Sequence, residues 1–120
     1  MYPHTVTLYN RLPEVARVAA WRRTVLAGVR VEEKSGAVAS LIGSTSTDGV
    51  LVFIPGGIGG YVAPEAFTNT GWTLREGDVL VVGEHTAAAP DETASETYRI
   101  KGVETLRLRS RVHHWEVAGA

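Results

Sequence analysis

The sequence predicts an all-β fold, a small β-barrel or sandwich of about seven short antiparallel strands with one or two short helical turns. Two apolar runs carry this prediction: VLVFI at 50–54, which Pro55 ends, and VLVV at 79–82, which lies between Gly77 and Gly83. Unbroken runs of β-branched and aliphatic residues between turn-forming residues are typical of strands buried on both faces. Such strands need partners on either side, which favours a closed or nearly closed sheet.

Length and composition predict one domain, residues 1–120, because a chain of this size buries roughly two thirds of its unfolded surface without needing cross-links. The net charge of -1 excludes a global attraction to nucleic acid or membranes, and the absence of cysteine excludes disulfides, thiolate catalysis and Cys-ligated zinc. The sequence shows neither a secretory signal pattern nor an apolar run of the ~18 residues that cross a bilayer. A soluble intracellular protein with no membrane contact is therefore expected.

The first quarter of the chain predicts two strands and a connection. Residues 5–9 alternate polar and apolar side chains, which indicates a half-buried strand. Residues 10–20 are expected to be a connection with one helical turn, which Pro13 could begin. Alternation resumes over 21–33, and Gly28 inside this stretch predicts a bulge or a sharp bend in a long second strand.

The middle of the chain predicts a turn at 34–36, a short strand at 37–42 and a polar loop at 43–49. The buried strand at 50–54 follows, and Pro55 ends it because proline has no N–H to donate to a ladder.

After this strand a glycine loop at 56–60 and a helical turn beginning at Pro64 are expected. A turn at 75–78 leads into the buried strand at 79–82, and small polar residues predict a second long loop at 85–96. Two final strands are predicted at 97–103 and 105–117, separated around Gly102. The loops at 43–49, 56–60 and 85–96 are expected to be flexible.

The glycine loop reads GGIGG, and backbone N–H groups of such a loop can cradle an anion. A phosphate loop needs a following Lys-Ser/Thr or a following helix, whereas Tyr-Val-Ala-Pro follows here. No nucleotide or other cofactor is therefore expected. The segment is interpreted as a loop that becomes ordered on a partner, with four candidate contact residues, Gly56, Gly57, Gly59 and Gly60.

The HHWE stretch at 113–116 raises the question of a metal site. On a strand, His114 and Glu116 share one face, so two ligands converge and a third would have to come from a distant residue. No metal site is predicted. The sequence also has no nucleophile elbow and no carboxylate pair defined by spacing, so a non-enzymatic protein is expected.

Arg107, Arg109 and Arg111 alternate with leucine and serine, which predicts that they project from one side of one strand. Such a stripe is either a solvated outer face or a binding surface for an acidic partner or a nucleic acid backbone. A small OB- or SH3-like nucleic-acid-binding barrel is the alternative function, although the strand lacks interleaved aromatic residues for base stacking.

Acidic residues lie upstream of this stripe, and they could pair with the arginines of a neighbouring copy of the chain. The candidates for such a partner contact are Glu84, Asp91 and Glu92, with Glu96 nearby. This complementarity favours self-assembly.

Several stretches along the whole chain resemble a known family. They are PHTVTLYN at 3–10, Trp21 with TVLAGV at 24–29, VFIP at 52–55, YVAPEAF at 61–67, 72–84 from WTL to GE, and HWEV at 114–117. Together they resemble the minor capsid proteins encoded in the head-to-tail region of tailed phages and prophages of Gram-positive bacteria.

The resemblance implies a head-closure (stopper) or head–tail joining protein, a β-barrel subunit of a ring between the portal and the tail. It implies portal or adaptor and tail-completion proteins as partners, self-association into a ring, passage of genomic DNA through that ring, and a location in the virion after synthesis in the bacterial cytoplasm. The loops before Trp72 and after Glu84 are shorter than this family leads us to expect, and ring contacts would be made there.

Overall fold

A computed structural model describes residues 2–35 and 48–120, which form six β-strands and one 3-10 turn, Pro64–Ala66. The strands are β1 His4–Val15, β2 Val18–Ser35, β3 Asp48–Pro55, β4 Val79–Val82, β5 Thr97–Leu108 and β6 Arg111–Gly119. The predicted strand at 37–42 and most of the predicted loop at 43–49 lie outside the described residues. The described part of the chain contains no helix long and apolar enough to span a membrane.

The six strands form a closed antiparallel barrel in the order β1-β2-β3-β6-β5-β4. The all-β prediction is confirmed, and of the two predicted architectures the barrel is the one observed. The interior is filled by aliphatic side chains from every strand and by two tryptophans, Trp72 and Trp115. Buried apolar area of this kind is the main source of stability in a small domain.

Strand β4 closes the barrel with only four residues. It pairs with β1 on one side and with β5 on the other, so that Val79 lies opposite both Tyr9 and Arg99. Leu80 points into the barrel, whereas Val79 and Val81 pack on the outside against Tyr9. The prediction of a strand buried on both faces is confirmed.

The bend predicted at Gly28 is confirmed. Ala27 pairs with Thr5 and Val29 pairs with His4, so Gly28 is the extra residue of a bulge, and its φ of 80° suits glycine. Beyond this point β2 leaves β1 and pairs with β3 from Arg30 onward.

The predicted connection at 10–20 is wrong, because β1 continues to Val15 and forms a hairpin with β2. The ladder passes from Leu12 opposite Ala20 to Val15 opposite Val18, which leaves one extra residue on β1. Pro13 lies within this irregularity, where its missing N–H is tolerated. A proline inside a hairpin arm therefore gave a misleading helix signal.

The predicted strand break at Gly102 is also wrong. Ile100 pairs with Gly119 and Gly102 pairs with Ala118, so Lys101 is an extra residue and the strand continues to Leu108. The chain turns instead at residues 109–110. Glycine marked a bulge here rather than a turn.

Candidate functional site

Neighbouring strands run in opposite directions around the barrel, so the β1–β2 turn, the β5–β6 turn and the segment after β3 lie at one end. We call this the hairpin end, residues 12–20, 55–72 and 106–112. The connection from β4 to β5, residues 83–96, leaves the barrel from the other end, and we call it the acidic segment. These two regions contain all the partner-binding residues predicted from the sequence.

Arg107, Arg109 and Arg111 do not lie on one face of one strand, so that prediction is wrong. Arg107 is near the end of β5, Arg109 is in the turn with a φ of 61°, and Arg111 begins β6. All three side chains are exposed and gather at one hairpin tip. The strict alternation of residues 106–111 predicts a continuous strand, because Arg109 and Ser110 are not a residue pair that favours a hairpin turn.

The β1–β2 turn is the second element of the hairpin end. Ala16 and Arg17 both have positive φ, at 52° and 65°, as a two-residue type I′ hairpin turn requires. Together with Arg109 they are the non-glycine residues of the described chain with positive φ, and such residues are strained by about 1–3 kcal/mol each. Among the described residues, backbone strain is therefore concentrated at the hairpin end.

The hairpin end also exposes large apolar side chains. Val15 is 69% exposed, Val18 is 66% exposed and Leu108 is 64% exposed. Both hairpins thus continue past the barrel and carry aliphatic residues into solvent. Single exposed apolar residues are common, but Val15 and Val18 are cross-strand partners and lie at the same end of the barrel as Leu108, which makes this end a candidate surface for a partner.

The glycine segment is part of the wall at this end rather than a free hairpin loop. The Gly56 N–H donates to the His113 carbonyl over 3.0 Å, and a Cβ at this position would overlap the Val112 carbonyl oxygen. Gly60, with a φ of 96°, accepts a hydrogen bond from the Trp72 N–H over 2.9 Å. These two glycines have structural roles that the sequence reading missed.

Gly57 and Gly59 have open space where a side chain would be. The Gly59 carbonyl accepts a hydrogen bond from the Trp72 indole N–H over 2.8 Å, so the segment is tied to the barrel core through its backbone. The 3-10 turn predicted at Pro64 is confirmed. Whether the segment changes on binding a partner stays a prediction.

Tyr61 joins the two buried tryptophans and closes the barrel beneath the hairpin tips. Its ring centre lies 4.5 Å from that of Trp115 and 5.3 Å from that of Trp72. Burial raises the pKa of Tyr61, while the Arg107 guanidinium is among the smaller influences that lower it. The two tryptophan rings of this cluster are buried, whereas Tyr61 is half-buried.

A buried polar network fixes the segment before β4, and the sequence reading missed it. The Asp78 carboxylate accepts hydrogen bonds from the Asn10 amide over 2.7 Å, from the Arg11 N–H over 3.1 Å and from the Arg75 guanidinium over 2.9 Å. The Asn10 amide also donates to the Thr73 carbonyl. The sequence predicts Asp78 only as part of the turn at 75–78. Nothing in the sequence indicates its hydrogen bonds to Asn10 and Arg11.

The first part of the acidic segment runs along the outer face of β1. The Thr7 hydroxyl donates to the Gly83 carbonyl, and the Tyr9 hydroxyl donates to the Ala87 carbonyl, both over 2.8 Å. The Arg23 guanidinium donates to the His85 carbonyl over 3.0 Å. Glu84 lies in this stretch, is exposed, and makes no ion pair with any residue of the described chain.

The second part of the acidic segment returns to β5. The Thr97 hydroxyl donates to the Asp91 carbonyl over 2.8 Å, and Glu92 forms an ion pair with Arg99. Hydrogen bonds from the Thr93 hydroxyl and N–H lower the pKa of Asp91. The segment contains four carboxylates and no lysine or arginine of its own.

The arginine tip and the acidic segment lie at opposite ends of β5. Asp91 is held beside Thr97, the first residue of β5, whereas Arg107 is next to the last residue of that strand. At about 3.3 Å per residue, roughly 30 Å of strand lies between these two points. In the described chain none of the carboxylates of the acidic segment forms an ion pair with the three arginines of the tip.

His114 and Glu116 share the outer face of β6 as predicted, with 3.1 Å between the His114 Nε2 and the Glu116 carboxylate. The His113 ring contacts the His114 ring through their Nδ1 atoms, 2.8 Å apart. Within residues 2–35 and 48–120, no group of three or more metal-ligating side chains lies close enough together to hold an ion.

The fold and these surfaces define a small closed β-barrel with two exposed regions of opposite charge. The chain belongs to a family of unknown function, DUF6751, whose model matches residues 1–120. No curated protein and no solved structure is significantly similar to it.

Proposed function

We propose that this chain is a non-enzymatic structural protein of a tailed-phage particle, a subunit of the ring that joins the head to the tail by closing or extending the portal. The observation that carries the proposal is the position of two chemically different surfaces at opposite ends of β5. A subunit of such a ring must contact the neighbouring copies on its two sides through two different surfaces. A rigid barrel with an apolar, basic hairpin end and a separate acidic segment suits that role.

The sequence resemblance to minor capsid proteins of the head–tail region supports the same function. The closed barrel agrees with the β-barrel subunit that this resemblance implies. The partners in this proposal are portal or adaptor proteins on one side and tail-completion proteins on the other, with further copies of the chain completing the ring. The protein is made in the bacterial cytoplasm and located in the virion.

The proposal is tested on particles from the strain that carries the gene. Immunogold labelling of purified particles is expected to place the protein at the head–tail vertex. Deletion of the gene is expected to leave DNA-filled heads and free tails that do not join, and a plasmid copy restores joined particles. Absence of the protein from purified particles, or normal joining after deletion, would overturn the proposal.

A nucleic-acid-binding barrel is the second candidate, and the gathering of Arg107, Arg109 and Arg111 at one tip favours it. None of these side chains forms an ion pair within the described part of the chain. Phosphate contacts by such residues give salt-dependent binding. Fluorescence anisotropy with short DNA separates the candidates, since the absence of binding at low salt removes this one.

A further inference from the structure

The hairpin end has an apolar groove at the β1–β2 hairpin. It encloses about 580 Å³ between the β1–β2 hairpin and the segment after the 3-10 turn. Its apolar lining comes from Leu12, Pro13, Val15, Ala20 and Phe67. Val15 connects this groove with the exposed aliphatic tip, so the apolar surface is continuous from the groove to the solvent.

The charges around this surface are unbalanced. The β5–β6 tip carries three arginines that make no ion pair with a described residue, and Arg11 lines the groove. Two copies that met through their hairpin ends would bring these arginine tips together, which is repulsive. Glu14 and Glu65 are also exposed at the hairpin end, but its four arginines, Arg17, Arg107, Arg109 and Arg111, outnumber them. An acidic occupant with a small apolar part therefore complements this surface.

The acidic segment of the same chain has both properties. Residues 87–89 are three exposed alanines, and Pro90, Asp91 and Glu92 follow directly. The Tyr9 and Thr97 hydroxyls donate hydrogen bonds to the carbonyls of Ala87 and Asp91, so the alanines lie between two fixed backbone positions. A partner segment that is already held in place loses less entropy on binding.

We infer that the hairpin end of one copy docks on the acidic segment of the next copy. The alanine-proline stretch occupies the apolar groove, and the carboxylates of the segment face the arginine tip. Within one chain, roughly 30 Å of strand between Thr97 and Arg107 separates the carboxylates near Asp91 from the arginine tip. Such a head-to-tail interface closes into a ring when the rotation between copies allows it. This inference rests on the proposed function, because it names the contact by which the proposed ring forms.

Charge reversal at each end tests the interface. Arg109→Glu with Arg111→Glu reverses the tip. Glu84→Lys with Glu96→Lys cancels the net charge of the acidic segment, leaving Asp91 and Glu92 against two lysines, while keeping the Asp91–Thr93 hydrogen bonds and the Glu92–Arg99 ion pair. Both pairs of substitutions are expected to leave the melting temperature nearly unchanged, because none of these four side chains forms an ion pair in the described chain.

Sedimentation velocity over a concentration series gives the readout. Wild-type protein is expected to associate, and the association weakens as salt rises from about 0.01 M to 1 M and the Debye length falls from ~30 Å to ~3 Å. Each double variant alone is expected to associate at least about tenfold more weakly. An equimolar mixture of the two variants is expected to recover association, because the unchanged acidic segment of the tip variant can meet the unchanged arginine tip of the segment variant.

A wild-type monomer at every concentration, association that both reversals leave intact, or a mixture that fails to recover would each overturn the inference. Loss of the vertex location in particles with self-association intact would instead count against the proposed function. Correct location in particles with charge-insensitive assembly would count against the inference alone. The two failures are therefore distinguishable.

Discussion

Strand β4, the seam that closes the barrel, and the tips of the two hairpins are all regular β-structure. They differ in how much of that structure is covered by other parts of the chain. Val79–Val82 has ladder partners on both sides and side chains packed both inside and outside the barrel. The hairpin tips continue their ladders beyond the barrel and leave Val15, Val18 and Leu108 in water. Strand residues thus stabilise the barrel where both faces of the strand are covered. The hairpin tips, whose side chains are exposed, are the parts of the strands that are available for binding.

The difference should appear most strongly when the same substitution is made in both regions. Val81→Asp places an unpaired carboxylate among Tyr9 and Val79, and we expect it to lower the free energy of unfolding by at least about 4 kcal/mol, enough to unfold the domain. Val18→Asp at the tip is expected to change it by no more than about 0.5 kcal/mol. Circular dichroism and urea titration measure both, and a folded Val81→Asp protein would contradict the assigned core.

The polar network that supports the seam gives the next largest effect. Asp78→Ala leaves the Arg11 N–H without its acceptor and the Arg75 guanidinium without its ion pair, so we expect a loss of about 2–3 kcal/mol. The neighbouring exposed residue supplies the control, since Glu76→Ala should be nearly neutral. Equal urea midpoints for the two variants would show that the network contributes little.

The strain at the tip predicts a stabilising change. Ala16→Asn with Arg17→Gly supplies the pair that a type I′ turn prefers, and we expect a gain of about 1 kcal/mol. Arg17→Lys keeps a side chain at positive φ and should give no gain. If thermal melts of the two variants coincide, the positive φ values do not hold strain.

The smallest effect concerns alkaline pH. Burial raises the pKa of Tyr9 above its ordinary value of 10.0, against a smaller lowering by Arg23. The unfolded chain therefore ionises first, so the stabilisation is complete below pH 10 and is lost as the pH rises through the folded pKa. Tyr9→Phe should lose less stability than wild type between about pH 8 and pH 11, as followed by urea midpoints. An identical decline in both would assign the effect to other groups, among them Tyr61, whose pKa burial also raises.

The sequence predicted the parts of the fold that depend on local pattern. The apolar runs located β3 and β4, and Gly28 located the bend in β2, because burial on two faces and positive φ both restrict residue type strongly. Pro13 and Gly102 were misread because each is tolerated at a bulge as well as at a strand end. The local sequence does not distinguish these two outcomes.

The candidate surface was predicted by residue type but not by arrangement. The arginines and the carboxylates were both identified, yet the sequence placed the arginines on one strand and gave no distance to the acidic residues. That distance depends on β5 running unbroken from Thr97 to Leu108. The Asn10–Asp78 contact was equally invisible, since it joins residues far apart in the chain through a register that only the closed barrel defines.

The shortness of β4 also has a kinetic consequence. Its ladder joins residues 6–9 to residues 79–82, so the barrel closes by one of its least local contacts, and folds of this kind form in milliseconds to seconds. Until that step the edge of β1 with the sequence VTLY has unpaired N–H and C=O groups, and such an edge recruits strands from other molecules. By pairing with β1, the four residues of β4 therefore protect the chain from aggregation once they are in place. Weakening this pairing is expected to lower the refolding yield most at high protein concentration.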